Sequence, residues 1–395
     1  MSEPPSEQPA EQAAEQAAEQ PSEAPTPRKP RVAIVFGGRS SEHAISCVTA
    51  GSVLEAIDRT AYDVVPIGIA PDGRWVLESG DPERLQIKGP GELPSVDGER
   101  AAIALLREAG GTDLVVHAPA RPPETLGEVD VVFPLLHGPW GEDGTIQGMF
   151  EMAGVRYVGA GVLASAVAMD KAYAKVVLRA AGLPVLPSLT VTAREWYRDP
   201  DGITHRIGEL GYPVFVKPAR GGSSIGISKA HHAGELADAI EEAHRHDPKA
   251  LIEVAAEGAR EIECGVLQAL DGTPETSLPA EIRITGDHEF YDFAAKYLPE
   301  EHTELDVPAN LPDDVATSLR DLAARAFEAV GCEGLARVDF FVFPDGSLVV
   351  NEINTMPGFT PLSMFPRMWA ATGLDYPALV DRLITLALNR STGLR

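Results

Sequence analysis

The chain has 395 residues, a length that allows two or three domains with a sizeable core. Its formal net charge of −26 argues against a nucleic-acid-binding protein, because a polyphosphate partner favours a basic surface. A single nucleotide remains compatible with this charge, since a few lysines, Mg²⁺ and backbone N–H groups suffice to hold one phosphate tail. No apolar run approaches the ~20 residues that a membrane-spanning helix needs, so no membrane association is expected.

The three cysteines are scattered and lack the spacing of a metal site. They are Cys47, Cys264 and Cys332, and we interpret them as reduced core thiols of a cytoplasmic protein. Alternating Val/Ile runs and Ala-rich stretches favour a mixed α/β fold.

The first segment, residues 1–29, is built mainly of Glu, Gln, Ala, Pro and Ser. Such a composition cannot bury enough apolar surface to offset the entropy lost on ordering. We therefore predict a disordered tail.

An N-terminal α/β domain is predicted over residues 30–159. It begins with an apolar strand ending at Phe36, a Gly-Gly turn and a helix opened by Ser41 and Glu42, which together resemble half of a Rossmann-like unit. The G-x-G-x-x-G pattern of dinucleotide-binding proteins is absent, which opposes an oxidoreductase. "YDVVPIGIAPDGRWVL" predicts two strands about a turn, and "VDVVFPLLHG" predicts another strand. The stretch from about 79 to 127 shows no clear pattern.

A smaller α+β lobe is predicted over residues 160–253. Its first helix is capped by Asp170 and ended by Gly182. "GYPVFVKPARGGSSIGISKA" predicts a strand, a flexible loop and a second strand, and a helix over about 233–246 follows. Residues 254–395 form the C-terminal lobe of the prediction.

The C-terminal lobe is predicted to hold antiparallel strands and several helices. A polar loop lies near 285–305, one helix covers 313–330, and the final helix starts near Tyr376.

The stretch "ARVDFFVFPDGSLVVNEINTMPG" in this lobe predicts a β-hairpin. The Asp-Gly pair at 345–346 favours a two-residue turn. With that turn Asp339 faces Glu352 and Arg337 faces Asn354, and all four side chains share one face at the open end. Opposed carboxylates repel each other unless a cation lies between them.

These four polar groups have two interpretations. In the first, Asp339, Glu352 and Asn354 are oxygen ligands of Mg²⁺, with Arg337 beside them to hold an anion. In the second, this is a solvated sheet face on which Arg337 forms a salt bridge with Asp339. We favour the metal site, because four such groups fall in one registered cluster.

A phosphate site is the natural complement of such a metal site. "KPARGGSSIG" follows an apolar strand and offers small residues whose N–H groups can surround oxyanions, although it is not a Walker loop and could be a mobile connector. Lys217 at the end of that strand is either a phosphate ligand or an edge charge. Lys171, in the first turn of a helix, is disfavoured by the helix dipole, which hints at a function.

Several motifs in order along residues 31–390 resemble those of the D-alanine–D-alanine ligases of the ATP-grasp superfamily. They are "VFGGRSSEHAIS", "PLLHGPWGEDGTIQG", "YVGAGVLASAVAMDKAYAK", "VKPARGGSSIGISK", "EFYDFAAKYL", "GLARVDFF" and "NEINTMPGFTPLSMFP". The resemblance implies an ATP-grasp fold, α/β with α+β lobes, preceded by a Rossmann-like domain. It also implies ATP as a substrate, two Mg²⁺ ions (or Mn²⁺), D-alanine as the other substrate, and a homodimer.

The resemblance further implies a role for individual residues of the nucleotide site. The expected contacts of ATP are Lys171 and Lys217 at the phosphates, the loop serines Ser223 and Ser224, the adenine-facing Glu253, Val254 and Ala256, and Glu261 at the ribose. The expected ligands of the metal ions are Asp339, Glu352 and Asn354.

Other residues match the amino-acid sites of the family. The expected roles are Glu42 at the ammonium of the first D-alanine, Ser363 at the carboxylate of the second, Arg337 and the Gly358 N–H at the oxyanion, and Tyr297 and Ser223 closing the site with Glu42. His137 lies near the first substrate or is a structural hydrogen bonder. The segments 221–226 and 286–303 are the expected lid.

The predicted reaction joins two D-alanines through a D-alanyl phosphate for peptidoglycan precursor synthesis. The alternative is a D-alanine–D-lactate ligase or another ATP-grasp carboxylate–amine ligase, and "AAKYL" favours the dipeptide because Tyr297 follows a lysine there. A nucleotide-binding protein without catalysis is opposed by the complete set of polar residues.

Overall fold

Three β-sheets follow one another along the chain. The computed structural model describes residues 28–87, 89, 91–107, 111–222, 224–284 and 303–393. Among these residues, no helix is long and apolar enough to cross a membrane. The predicted tail (apart from residues 28–29), Ser223, Tyr297 and almost all of the lid segment 286–303 lie outside the described residues.

The first sheet has eight strands in the order β6-β5-β4-β3-β2-β1-β7-β8. Its strands are β1 Arg31–Gly37, β2 Asp63–Ile69, β3 Trp75–Leu77, β4 Ala102–Arg107, β5 Thr112–His117, β6 Glu124–Glu128, β7 Val131–Pro134 and β8 Arg156–Tyr157, and its helices are α1 His43–Ala56, α2 Thr145–Ala153 and a 3₁₀ turn, Pro82–Leu85. Strand β1 runs parallel to β2 and β7, and β7 parallel to β8. The loops after β1 and β7 leave the sheet at the same edge, as in other open α/β sheets whose ligands bind there.

Strands β4 to β6 were not predicted. They extend the sheet by antiparallel pairing from β3. The sequence of β4 alternates poorly because five of its six residues are exposed or half-exposed around the buried Ile103. An edge region with so little burial gives a weak period-two signal.

The second sheet has four antiparallel strands in the order β11-β10-β12-β9. Its strands are β9 Ser188–Thr192, β10 Val214–Pro218, β11 Ser228–Ala230 and β12 Lys249–Val254, and the helices before and around it are α3 Val162–Met169, α4 Lys171–Ala180, α5 Ala193–Arg198, α6 Pro200–Leu210, a 3₁₀ turn Ala233–Glu235 and α7 Leu236–His246. The predicted cap of α4 is confirmed, since the Asp170 side chain accepts from the Tyr173 N–H at 3.2 Å. Gly182, with φ of 73°, follows the end of α4 as predicted.

The third sheet forms the far wall of the site. Its strands run in the order β16-β15-β13-β17-β18, with β14 paired to β13. They are β13 Arg260–Gln268, β14 Pro274–Thr276, β15 Ala280–Ile284, β16 Thr303–Asp306, β17 Leu335–Val342 and β18 Leu348–Asn354, and the helices are α8 Asp313–Ala329, α9 Met364–Thr372 and α10 Tyr376–Leu388. Apolar residues of β13, β17 and β18 pack in one core with α8 on one face, which leaves the polar positions on the other face.

The predicted two-residue turn of the β17–β18 hairpin is wrong. The Phe343 N–H donates to the Ser347 carbonyl at 2.9 Å, so the loop has three residues and ends in Gly346 with φ of 83°. A β-bulge at Asn351, between the 339/352 pair and the 340/350 pair, then shifts the register back by one. The one-residue shift in register caused by the longer loop and the one-residue shift caused by the bulge therefore cancel at the open end of the hairpin.

The predicted pairing at that open end is confirmed. Asp339 faces Glu352, and Arg337 faces Asn354. Because of the bulge, the buried residues of β18 are Val350 and Ile353, three apart instead of two, and both Asn351 and Glu352 line the site.

Candidate active site

A cleft of about 470 Å³ lies between the second and third sheets and reaches the first. Most of the predicted site residues line it. They are Glu42, His137, Lys171, Lys217, Ser224, Ala256, Glu261, Arg337, Asp339, Glu352, Asn354, Gly358 and Ser363. Three sheets thus bring together residues that are more than 300 positions apart in the sequence.

Two predicted nucleotide residues do not line this cleft. Glu253 is 1% exposed and lies beneath the cleft floor, where its carboxylate contacts Lys217 and Lys175. Val254, the next residue of β12, is also absent from the lining. Their expected role beside the adenine stays a prediction, and Ala256 beyond them does line the cleft.

A row of three carboxylates crosses the wall of the cleft. Glu263, Asp339 and Glu352 lie side by side on β13, β17 and β18. Arg337 holds two of them together: its Nε and Nη2 donate to the two oxygens of Asp339 at 2.7 Å each, and its Nε lies 3.2 Å from Glu263 Oε1. Glu263 was not predicted, although its place two residues after Glu261 on the same strand face was a usable signal.

This wall is not a solvated surface. The side chains of Arg337 and Asp339 are 17% and 14% exposed. The salt bridge of the alternative interpretation is present, but in a partly buried cleft where unlike charges interact more strongly than in water. The Asn354 amide also donates to Asp339, at 3.0 Å.

The donor set of this wall fits a divalent cation that shares its ligands with a bound phosphate. Asp339 and Glu352 offer hard oxygen donors from directly opposed positions, and Asn354 adds an amide on the same face. Among the described residues, no three acidic, histidine or cysteine side chains form a complete metal site by themselves. Mg²⁺ commonly binds through one or two carboxylates and takes its other ligands from water and substrate phosphates.

Two lysines reach the cleft opposite this wall. Lys171 Nζ donates to the Gly221 carbonyl at 2.6 Å and lies 3.7 Å from Glu352 Oε2. Lys217 Nζ lies 3.0 Å from Glu253 Oε2. Both ammonium groups border the Gly/Ser loop, as a phosphate site requires.

A buried pair of carboxylates, Glu42 and Glu142, lies where the first sheet meets the cleft. Glu42 is 7% exposed, and its side chain does not cap α1 although it precedes that helix. A Cβ placed on Gly138 would come within 2.5 Å of Glu42 Oε2, so Gly138, with φ of 73°, permits this close approach. The Gly138 N–H donates to Glu142 Oε2 at 2.6 Å. Burial and the charge of Glu42 raise the pKa of Glu142 to about 8.

His137 is 3% exposed and completes this group. Its Nε2 lies 3.3 Å from the Thr49 hydroxyl, and its Nδ1 lies 3.3 Å from the Met356 carbonyl. Burial lowers the pKa of the imidazole, against the attraction of Glu42. These contacts support both alternatives for His137, a structural role and a position beside a substrate. Glu142, in the same motif, was missed.

Gly358 and Ser363 also line the cleft, in a segment that contacts the first sheet through Met356 and His137. The Ser363 hydroxyl accepts from the Thr360 N–H at 3.1 Å, which fixes a turn before α9. A Cβ on Gly358 would lie 3.1 Å from Ser363 Oγ, so the backbone and the hydroxyl are close neighbours.

Comparison with known proteins gives matches over most of the chain. Residues 31–160 match the family described as "D-ala D-ala ligase N-terminus" and residues 177–385 match "D-ala D-ala ligase C-terminus". The chain belongs to the D-alanine–D-alanine ligase family. Among relatives, this chain is 59% identical to the D-alanine–D-alanine ligase of Arthrobacter sp. (strain FB24) over 93% of its own length and 96% of the relative's. The D-alanine–D-alanine ligase of Kineococcus radiotolerans is 58% identical over 93% of this chain and 99% of the relative.

Solved structures of ligases share this fold. The D-alanine–D-alanine ligase from Coxiella burnetii has 35% identity and a TM-score of 0.76, covering 92% of this chain and 95% of its own. The VanG D-Ala:D-Ser ligase from Enterococcus faecalis has 33% identity and a TM-score of 0.78, covering 91% and 100%. The three-sheet architecture is thus the ATP-grasp fold of the D-alanine–D-alanine ligase family, with a Rossmann-like domain before it, as predicted.

Proposed function

We propose that the protein joins two molecules of D-alanine into D-alanyl-D-alanine, with ATP as the energy source and a D-alanyl phosphate as the intermediate. The observation that supports this most strongly is the single cleft in which Arg337, the Asp339–Glu352 pair, two lysines and the buried Glu42 meet. Membership of the D-alanine–D-alanine ligase family supports the same reaction.

ATP is assigned to the part of the cleft between the second and third sheets. Lys171 and Lys217 would contact its phosphates, Ser224 would take part through the Gly/Ser loop, and Glu261 would bind the ribose. Ala256 lies where the adenine would pack, at the end of β12. Ser223 belongs to the same proposal.

The two D-alanines are assigned to the part of the cleft that borders the first sheet. Glu42 would hold the ammonium of the first, near the buried His137, and Ser363 would hold the carboxylate of the second. Tyr297 and Ser223 remain the proposed partners of Glu42 in closing the site.

Asp339, Glu352 and Asn354 would hold two Mg²⁺ ions, or Mn²⁺, together with ATP. When bound, the ions neutralise the charge of the phosphates during transfer. The chain contributes the opposed carboxylates and the partly buried wall that fixes them.

The reaction follows from these positions. A carboxylate oxygen of the first D-alanine forms a bond to the γ-phosphorus while the bond to ADP breaks. The amine of the second D-alanine, after losing a proton, attacks the acyl carbon, and the C–O bond to phosphate breaks. Arg337 and the Gly358 N–H would stabilise the oxyanion of that step, where such donors have their largest effect. Enclosure of the cleft by the lid would keep water from the acyl phosphate.

We further propose a homodimer and a cytoplasmic location. Large apolar side chains are exposed on three neighbouring helices, α2 to α4. They are Met149, Met152, Leu163, Tyr173 and Val176. Such a patch is typical of an interface. Light scattering tests this proposal: we expect a dimer for the native chain and a monomer for the double variant Met152→Glu/Leu163→Glu.

The cytoplasmic location is supported by the cysteines, because the buried thiols of all three suit a reducing compartment.

The function is tested by coupled phosphate release with D-alanine, D-lactate and D-serine in competition. We expect release that depends on D-alanine and a dipeptide product at neutral pH. Glu352→Ala is expected to abolish synthesis in a folded protein. ATP hydrolysis without any stimulation by D-alanine would contradict the proposal, and a predominant depsipeptide product would favour the lactate alternative.

A further inference from the structure

The buried side chain of Lys175 lies behind the cleft, between Glu253 beneath the nucleotide site and the β18 bulge next to the metal-binding wall. Lys175 lies on α4, is 3% exposed, and does not line the cleft. We propose that Lys175 is a positioning residue that keeps the Lys217 ammonium available to the phosphates of the nucleotide and fixes the β18 bulge behind the metal-binding wall. This inference rests on the proposed nucleotide site.

Lys175 contacts both a carboxylate of the second sheet and a backbone carbonyl of the third sheet. Its Nζ forms an ion pair with Glu253 Oε1 and donates to the Asn351 carbonyl at 3.2 Å. The second oxygen of Glu253, Oε2, lies 3.0 Å from Lys217 Nζ. One carboxylate, 1% exposed, is thus shared by two ammonium groups, of which only that of Lys217 reaches the cleft.

The charge of this group of three residues explains why two lysines are needed. Burial alone would raise the pKa of Glu253, but the charges of Lys217 and Lys175 outweigh it and the pKa lies below its ordinary value. The carboxylate is therefore ionised, and with one lysine the pair would be neutral. Burial lowers the pKa of Lys175 and the Glu253 carboxylate raises it; with both lysines protonated the group carries one net positive charge, which is directed at the cleft through Lys217.

The same lysine acts on the opposite wall through the bulge. Asn351 is the extra residue of β18, skipped in the register of the hairpin, and its carbonyl accepts from Lys175 Nζ. Lys175 gives that carbonyl a charged donor, and the next residue is Glu352, one of the two opposed carboxylates. The position of Glu352 therefore depends on a side chain that touches neither metal nor substrate.

Lys175→Met, which removes the charge and keeps a similar length, tests the inference. The dissociation constants of ADP and of adenosine are measured by competition with a fluorescent nucleotide, at a temperature where the variant is folded. We expect ADP to bind about tenfold more weakly or worse, because the phosphates lose one net positive charge nearby. Adenosine, which has no phosphate, is expected to change by less than about twofold. The affinity for Mn²⁺ with ADP present should also fall.

A matched control loses a buried cation elsewhere. Arg390, whose side chain is 12% exposed, pairs with Glu333 at 2.9 Å and donates to the Gly159 carbonyl at 2.8 Å, and none of these residues lines the cleft. Arg390→Met is expected to lower the melting temperature without changing ADP binding. An ADP affinity of Lys175→Met within about twofold of the native value, or equal losses for ADP and adenosine, would overturn the inference.

A second variant keeps the inference testable if Lys175→Met does not fold. Lys175→Arg retains the charge, so ADP affinity is expected to stay within about threefold, and a loss of about tenfold would refute the charge argument. These measurements separate the inference from the proposed function. Native protein that binds ADP but shows no D-alanine-dependent turnover would contradict only the function.

Discussion

Replacing Arg337 by methionine should change turnover and metal binding in opposite directions. In the structure the guanidinium occupies both oxygens of Asp339 at 2.7 Å. A cation that binds Asp339 must displace at least one of these hydrogen bonds, each worth about 1.5–3 kcal/mol to a charged group. That competition weakens cation binding in the nucleotide-free protein by a factor of about 10 to 100.

Arg337→Met removes the competition and leaves Glu263, Asp339 and Glu352 without the cation that holds two of them. We expect it to bind Mn²⁺ about 10- to 100-fold more tightly than the native protein, as measured by electron paramagnetic resonance of free Mn²⁺ without nucleotide. Turnover should fall about 10²- to 10³-fold, the usual effect of losing an oxyanion donor. Breaking the partly buried ion pair should lower the free energy of unfolding by up to about 3–5 kcal/mol, and Mn²⁺ should restore part of it.

Arg260→Met is the matched control for this prediction. Its guanidinium holds Glu281 in the same bidentate way, at 2.8 and 2.6 Å, in the same sheet but outside the cleft lining. Arg260→Met changes the net charge by the same amount as Arg337→Met, but it frees no carboxylate of the cleft wall. The affinity for Mn²⁺ should therefore not rise. A folded Arg337→Met protein whose Mn²⁺ affinity equals or falls below the native value would refute the competition between guanidinium and metal.

Three further predictions concern the first sheet and α4. Glu142 has a pKa of about 8 in the folded protein, above its value in the unfolded chain, so its contribution to the free energy of unfolding should fall as pH rises from about 5 to 8, by up to ~1.4 kcal/mol per pH unit. Glu142→Gln should flatten the dependence of the free energy of unfolding on pH, as measured by urea titrations. An unchanged dependence would count against the raised pKa. Gly138→Ala, whose Cβ would meet Glu42 at 2.5 Å, should raise the KM for the first D-alanine at least about tenfold while the KM for ATP stays similar, and equal increases in both would argue against a local clash. Asp170→Ala removes the N-terminal cap of α4 and the ion-pair partner of Lys249, and should lower the free energy of unfolding by about 1–2 kcal/mol in urea titrations. An unchanged denaturation midpoint would show that the cap is not needed.

Much of the site was predictable because it depends on local rules. Strand alternation and a short hairpin predict Asp339 opposite Glu352, and the observed pairing is the same because the bulge at Asn351 compensates for the extra residue of the turn. The three-residue loop was missed, since an Asp-Gly pair also suits a two-residue turn. The bulge had a signal that was not used: apolar Val350 and Ile353 are three apart, which breaks the period of two.

Residues whose function depends on distant partners could not be found in this way. Lys175 falls in an ordinary helical stretch, and its burial has a meaning only beside Glu253 and the Asn351 carbonyl, 176 positions away. Glu142 is similar, because its raised pKa results from burial and from Glu42, on another loop of the sheet. Sequence patterns record the periodicity of one element, whereas these roles arise where several elements meet.

The bulge on β18 divides the hairpin into two parts with separate tasks. The tip at residues 344–346 lies beyond the bulge, with Pro344 and Asp345 exposed to solvent. A short peptide tag or a fluorescent reporter inserted there would be anchored by the outer pairs alone, and the pairing of Asp339 with Glu352 would be buffered from it. The tip is thus a suitable place to label this enzyme without altering the groups that perform the chemistry.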